Sequence, residues 1–244
     1  MDTPLGRTRR SRATRLSSIA LPLTLALTLA CVRPLSSAGT VTTGPLPARD
    51  PAPLTPSDST LAAADSFLVR VGTTRGAFEV MVRRSWEPEG APQLGRAVLD
   101  GYYDGGAFFR ALRGFVVQWG IAADPAMTQR WMARRIPDDP VTQSNHRGTV
   151  TFASGGPGTR TVQLFVNLRD NPRLDAMGFP PVGEVVRGMD VVDALHTGYG
   201  EGAPAGRGPS QGRLVAEGER YLAAEFPLLD RITTARIVAL WPRG

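Results

Sequence analysis

Short alternating runs of apolar and polar residues, separated by glycine, proline and aspartate, fill the chain from about residue 65 to 241. Residues 67–71 and 77–82 each read as a strand, and Thr73, Thr74, Arg75 and Gly76 form the turn between them. Leu94, Val98 and Leu99 recur at helical spacing behind Pro88 and Pro92, which predicts a helix within 87–100. The stretch 108–120, FFRALRGFVVQWG, alternates as one strand. Phe109, Ala111, Arg113, Phe115, Val117 and Trp119 share one face; Phe108, Arg110, Leu112, Gly114, Val116 and Gln118 share the other. Neither face is cleanly apolar. A strand apolar on both faces is covered on both or lies at the mouth of a cavity. Arg110 and Gln118 then need partners or a task, and Gly114 permits a kink or bulge.

Residues 121–144 lack periodicity and read as an irregular excursion docked by Trp131 and Ile136. Pro137, Asp138, Asp139 and Pro140 turn it back, with both aspartates in turn chemistry. Strands are predicted at 149–153 and 162–166, a loop and strand within 179–186, a short helix at 188–195, and a Gly/Pro loop at 198–212. A further short helix at 218–229 precedes the last strand, 235–240. The pattern changes before residue 65. Residues 32–64 are rich in Pro, Ser, Thr, Ala and Gly with few large apolar side chains, so they are predicted to form a disordered tether. Residues 1–31 have an Arg-rich start and an apolar run over 16–30, the layout of a secretory signal peptide. Cys31 ends that run, which resembles a bacterial lipoprotein signal and implies lipid modification of Cys31; the alternative is a plain signal peptide with an incidental thiol. The expected organisation is therefore leader 1–31, tether 32–64 and one folded domain 65–244.

Charge changes this picture little. The net charge of +6 points at first to nucleic acid. Five arginines against Asp2 within residues 1–15 account for +4 of it, leaving +2 for the remaining 229 residues of the 244. No lysine occurs, and no basic stripe marks the domain, so nucleic-acid binding is not expected. Cys31 is the one cysteine, and His146 and His196 are the two histidines, which excludes an intramolecular disulfide and argues against a Cys/His zinc site. The Gly-rich loop 154–159 lacks the Gly-Lys-Ser/Thr of a phosphate loop, and Ser154 lacks the nucleophile elbow. No cofactor and no metal are implied.

Phe108, Arg110, Gly114, Phe115, Gln118 and Gly120 match in register the pattern F-H-R-x-x-x-G-F-x-x-Q-x-G, and the stretch resembles the active-site strand of cyclophilins, the peptidyl-prolyl cis–trans isomerases. Residues 148–167 resemble that family's next conserved segment, and the likeness runs from about residue 67 to 240. It implies a mainly β fold: a closed antiparallel eight-stranded β-barrel capped by two α-helices. It also implies a proline pocket of Phe115, Val116, Phe165 and Leu174, with Ala153, Ser154 and Gln163 lining the residue before proline and Phe179 at the groove. Arg110 and Gln118 take the catalytic positions. Phe109 stands where the family has His, Arg113 where Pro is common, Val116 where Met is usual, Ser154 where Asn is common, and Arg173 where many members carry Trp. The pocket is thus kept while its rim differs.

The chemistry is undemanding. The Xaa–Pro amide resists rotation by roughly 18–20 kcal/mol, and its uncatalysed exchange takes tens of seconds or longer. A catalyst holds the ring and stabilises the twisted amide more than the planar one, for which a fixed guanidinium is suited. Two functions follow: an isomerase acting on exported or envelope proteins, or a catalytically weak chaperone or binding module for proline-containing segments. The expected partners are proline-containing polypeptides and, through Cys31, a membrane; a monomer is expected.

Overall fold

The computed structural model describes residues 53–243. The leader, Cys31 and most of the tether lie outside the described residues. In chain order the elements begin with α1 (Asp58–Ala63), β1 (Ala64–Thr73), β2 (Gly76–Arg83) and α2 (Gly90–Leu99). Next come β3 (Arg110–Ala111), β4 (Val116–Trp119), α3 (Pro125–Met132), β5 (Thr149–Phe152) and β6 (Leu164–Asn167). The chain continues through α4 (Arg173–Ala176), β7 (Pro181–Arg187), α5 (Met189–Asp193), α6 (Gln211–Glu217), α7 (Glu219–Glu225) and β8 (Ile232–Pro242).

The eight strands form one antiparallel sheet in the order β3-β4-β6-β5-β7-β2-β1-β8. Its ends, β3 and β8, are not joined by a ladder, which corrects the expectation of a closed barrel. The physical reason is the brevity of β3: two residues before the chain turns. Only the segment ahead of it reaches β8. Ala107 bridges Arg231, Gly105 N–H donates to Ile232 O at 2.9 Å, Ile232 N–H to Gly106 O at 2.8 Å, and Phe108 N–H to Asp230 O at 3.1 Å. The helices expected within 87–100, 188–195 and 218–229 are present as α2, α5 and α7, and the described residues hold seven helices in all.

Stretch 108–120 is not one strand. It breaks into β3, a turn over 112–115 with Gly114 at φ +67°, and β4. Leu112 N–H donates to Val116 O at 2.8 Å and Phe115 N–H to Leu112 O at 2.9 Å, so the predicted kink is a full reversal. The supposedly irregular excursion contains α3, capped by the Asp124 side chain on Ala126 N–H and seated by Trp131, which is fully buried beside Tyr102. The end of the expected tether is also ordered. Ser57 caps α1 by accepting from Thr60 N–H, and Leu61 packs into the core against Gly95 of α2.

Three apolar clusters result. The main core holds Phe78, Phe108 and Trp119, whose rings meet tilted or edge to face at separations of 5.7–6.4 Å. The second lies under α6 and α7, where Phe109 meets Ile121, Leu214, Tyr221, Leu222 and Phe226. The third is Val116, Phe165 and Leu174, flanked by Phe115, Ala153 and Phe179.

A buried charge site fixes the excursion. Arg160 is 1% exposed and pairs with the fully buried Glu87, with Asp138 at 3.2 Å and with Asp139 at 3.3 Å. Asp139 also accepts from Glu89 N–H and Gly90 N–H at the start of α2. The two aspartates are therefore ion-pair partners rather than turn residues alone.

Candidate active site

The β3–β4 hairpin sets the geometry. Arg110 lies directly opposite Gln118, and Gln118 opposite Phe165 on β6. Ala153 N–H donates to Gln163 O at 2.9 Å, which holds the end of β5 beside the approach to β6. α4 carries Leu174, and Phe179 N–H donates back to Leu174 O at 3.1 Å. As a result Arg110, Phe115, Val116, Gln118, Ala153, Ser154, Gln163, Phe165, Leu174 and Phe179, the ten residues expected at the site, line one cavity of about 700 Å³. That volume is within the usual range for a binding cleft.

One end of the cavity is apolar. Val116, Phe165 and Leu174 form its floor, and the Phe165 and Phe179 rings meet edge to face at 6.0 Å. Phe115 has a guanidinium on each flank: Arg173 at 5.1 Å and Arg110 at 5.9 Å from the ring centroid. Cations over an aromatic face are attracted by the ring quadrupole. Arg173, read from sequence as a substitution at the rim, is therefore packed on the pocket itself.

The other side is a polar chain. Arg110 Nη1 donates to Gln118 Oε1 at 3.1 Å, and Gln118 Nε2 donates to Gln163 Oε1 at 2.9 Å. Glu201, which sequence reasoning left inside a Gly/Pro loop, accepts from Arg110 Nε at 2.6 Å and from Nη2 at 2.8 Å. The Arg110 hydrogen bond, aided by one from Gly202 N–H, holds the Glu201 carboxyl below its ordinary range against the opposing effect of burial. Ser154 lines the cavity, but its hydroxyl is committed to its own loop: it donates to Gly156 O at 2.6 Å and accepts from Gly156 N–H at 3.0 Å.

Beneath the apolar floor runs a buried amide network. Asn167 Nδ2 donates to Asn145 Oδ1 at 3.0 Å and to Thr149 Oγ1 at 2.9 Å; Asn171 Nδ2 donates to Asn167 Oδ1 at 2.8 Å. Asn145 Nδ2 donates to Asp175 Oδ1 at 2.8 Å and to Phe179 O at 2.7 Å. These bonds fix the segment carrying Leu174 and Phe179. Sequence reasoning missed them, because a lone Asn in a loop carries no pattern. Met132, Arg135 and Met177 at the cavity rim were missed for the same reason. Among the described residues no cluster of three or more His, Cys, Asp or Glu side chains is placed to hold a metal ion.

Residues 68–211 match the family model of the cyclophilin type peptidyl-prolyl cis-trans isomerases. A peptidyl-prolyl cis-trans isomerase of Acinetobacter baylyi is 30% identical over 139 residues, covering 54% of this chain and 73% of that protein. A probable peptidyl-prolyl cis-trans isomerase of Brucella abortus is 33% identical over 134 residues, 50% of this chain and 68% of the relative. Among solved structures, a cyclophilin type isomerase of Cryptosporidium parvum superposes with a TM-score of 0.53 at 20% identity, covering 71% of this chain and 98% of that one. That likeness establishes the fold. The match to the family model ends at Gln211, the first residue of α6, so the rest of α6 and all of α7 lie beyond it.

Proposed function

Since the chain belongs to the cyclophilin-type peptidyl-prolyl cis–trans isomerases, we propose that Arg110 performs the stabilising step and that Phe115, Val116, Phe165 and Leu174 hold the proline ring. One observation carries this reading: an apolar floor and an anchored guanidinium share a single cavity. With the ring held, the preceding carbonyl swings while Arg110 donates to the amide as it loses conjugation. No covalent bond forms and no proton need leave the enzyme. A guanidinium stays charged across the physiological range, and preorganised donors act most strongly where charge develops. Gln118 aligns Arg110 and Gln163 by bonding both. Ala153, Ser154 and Gln163 receive the residue before proline.

We place the substrates among exported or envelope proteins, with a lipid on Cys31 holding the enzyme to a membrane. The support is the sequence of residues 1–31, its Arg-rich start, apolar run and cysteine.

The test is a protease-coupled isomerisation assay on a short Xaa-Pro peptide with wild type and Arg110→Ala. The expected loss in kcat is about 10²–10³-fold, the scale for removing one preorganised donor, with the variant still folded by circular dichroism. An unchanged rate in the folded variant sinks the role of Arg110. A folded wild type that accelerates no Xaa-Pro peptide sinks the isomerase reading of this cavity and leaves a site that binds prolyl segments without turnover.

A further inference from the structure

Glu201 stands out because a whole loop is folded to deliver one carboxylate. It lies between α5 and α6, in a segment without regular structure. There Gly202 bridges Gly208, Gly208 N–H donates to Glu201 O at 2.8 Å, and Gly206 N–H donates to Gly202 O at 3.0 Å. A Cβ on Gly206 would come within 2.3 Å of Glu201 O, so only glycine lets the turn close this tightly around Glu201. Gly202 N–H also donates to Glu201 Oε1 at 2.9 Å, which aims the carboxylate as well as the backbone.

The carboxylate grips Arg110 by both oxygens, the fork geometry that fixes the plane of a guanidinium. A guanidinium has five N–H groups. Glu201 takes one from Nε and one from Nη2, and Gln118 takes one from Nη1. One N–H on each terminal nitrogen remains. Arg110 is thus held from two sides by partners on different parts of the chain and retains a pair of donors for a third.

We propose that Glu201 is a positioning residue for the isomerisation: it locks the plane of Arg110 so that the two uncommitted N–H groups meet the twisting amide without rearrangement. This rests on the reading of Arg110 as the group that stabilises that amide. A carboxylate suits the task better than a neutral acceptor. It binds bidentately, and it offsets the guanidinium charge when a bound peptide displaces water from the cavity.

The experiment is a double-mutant cycle on the full chain. Wild type, Glu201→Ala, Arg110→Lys and the double variant are compared on a short Ala-Pro peptide, with kcat and KM separated. The cycle is joined to the ¹⁵Nε–¹Hε resonance of Arg110. Glu201→Ala is expected to lower kcat about 10- to 100-fold, the scale for misplacing a catalytic group, with KM little changed. The Arg110 resonance should shift, and the substitution should cost nothing further in the Arg110→Lys background, because coupled residues are non-additive. Glu201→Gln, which keeps the shape and one acceptor, should fall between the two and carries the comparison if the alanine variant does not fold. A kcat unchanged or raised in either Glu201 variant overturns the proposal. An equal loss in both Arg110 backgrounds also overturns it, since a merely structural residue would act without Arg110. A folded wild type with no turnover brings down the reading of Arg110 first and this proposal with it.

Discussion

Asp175 is the residue on which the apolar wall of the cavity hangs. Burial raises its carboxyl, but hydrogen bonds from the Ser144 hydroxyl at 2.5 Å and from Asn145 at 2.8 Å outweigh that and hold it below the ordinary range. Its folded pKa is therefore depressed. The stability it supplies is complete above the unfolded value of about 3.9 and disappears as pH falls through the lower folded value. Thermal unfolding from pH 7 downward should show wild type more stable than Asp175→Asn at neutral pH, with the gap closing in strong acid. A gap that persists below both pKa values would assign the effect to packing. At the same scale, the neighbours of Phe115 were only half legible. Arg110 announced itself as a charge inside an apolar run, whereas Arg173, at the start of the four-residue α4, and Glu201, in a loop, reach the cavity from segments whose path no periodicity encodes.

Among the elements, the β3–β4 hairpin departs most instructively from its sequence. Read as one strand, 108–120 places Arg110 and Gln118 about 26 Å apart at 3.3 Å per residue. Folded back at Gly114, they face each other and share a hydrogen bond of 3.1 Å. From Arg110 onward alternation survives the reversal, with Ala111, Val117 and Trp119 in the core and Arg110, Val116 and Gln118 at the cavity, so the pattern alone could not distinguish a kink from a reversal; Phe108, expected on the face opposite Trp119, instead packs beside it. The same limit explains Phe109. Its apolar character looked like a loss at the rim, yet it is 1% exposed beneath α6 and α7 and completes their cluster. α1 and α3 were hidden for a different reason: each is short, and its stability comes from Leu61 or Trp131 entering the core rather than from local propensity. The join of α2 to the excursion yields a prediction. Arg160→Ala leaves Glu87 buried without its cation, so the unfolding free energy should fall by about 3–5 kcal/mol, read from the urea midpoint at constant m-value. A change under about 1 kcal/mol would mean that water reaches Glu87 in the variant.

Over the molecule as a whole, a mainly β chain was legible because short apolar runs and turn residues recur in order, while the count of eight antiparallel strands and the cyclophilin-like arrangement came from the family resemblance. Closure was not legible, since it depends on how far two distant edges extend. Asp230 holds those edges together. Its carboxylate accepts from Thr74 Oγ1 at 2.7 Å, Arg75 Nε at 2.8 Å and His196 N–H at 2.7 Å, while its carbonyl accepts from Phe108 N–H. Asp230→Ala strands donors from the first hairpin and from the end of α5. Those donors are exposed or half-buried and regain water, so the expected cost is about 0.5–1.5 kcal/mol for each hydrogen bond lost, measured by urea unfolding, with isomerase activity falling alongside. Retained activity at full stability would mean that the seam is fixed by the backbone alone.

The seam also sets an order of events in time. The backbone amides of Gly105 and Phe108 find their acceptors on Ile232 and Asp230, more than a hundred residues later in the chain. During synthesis from the amino end, the segment leading into Arg110 waits unpaired until almost all of the polypeptide has emerged. A ribosome-bound chain halted before Asp230 should therefore carry every side chain of the cavity and yet lack the enzyme, so that catalysis switches on only with the last strand.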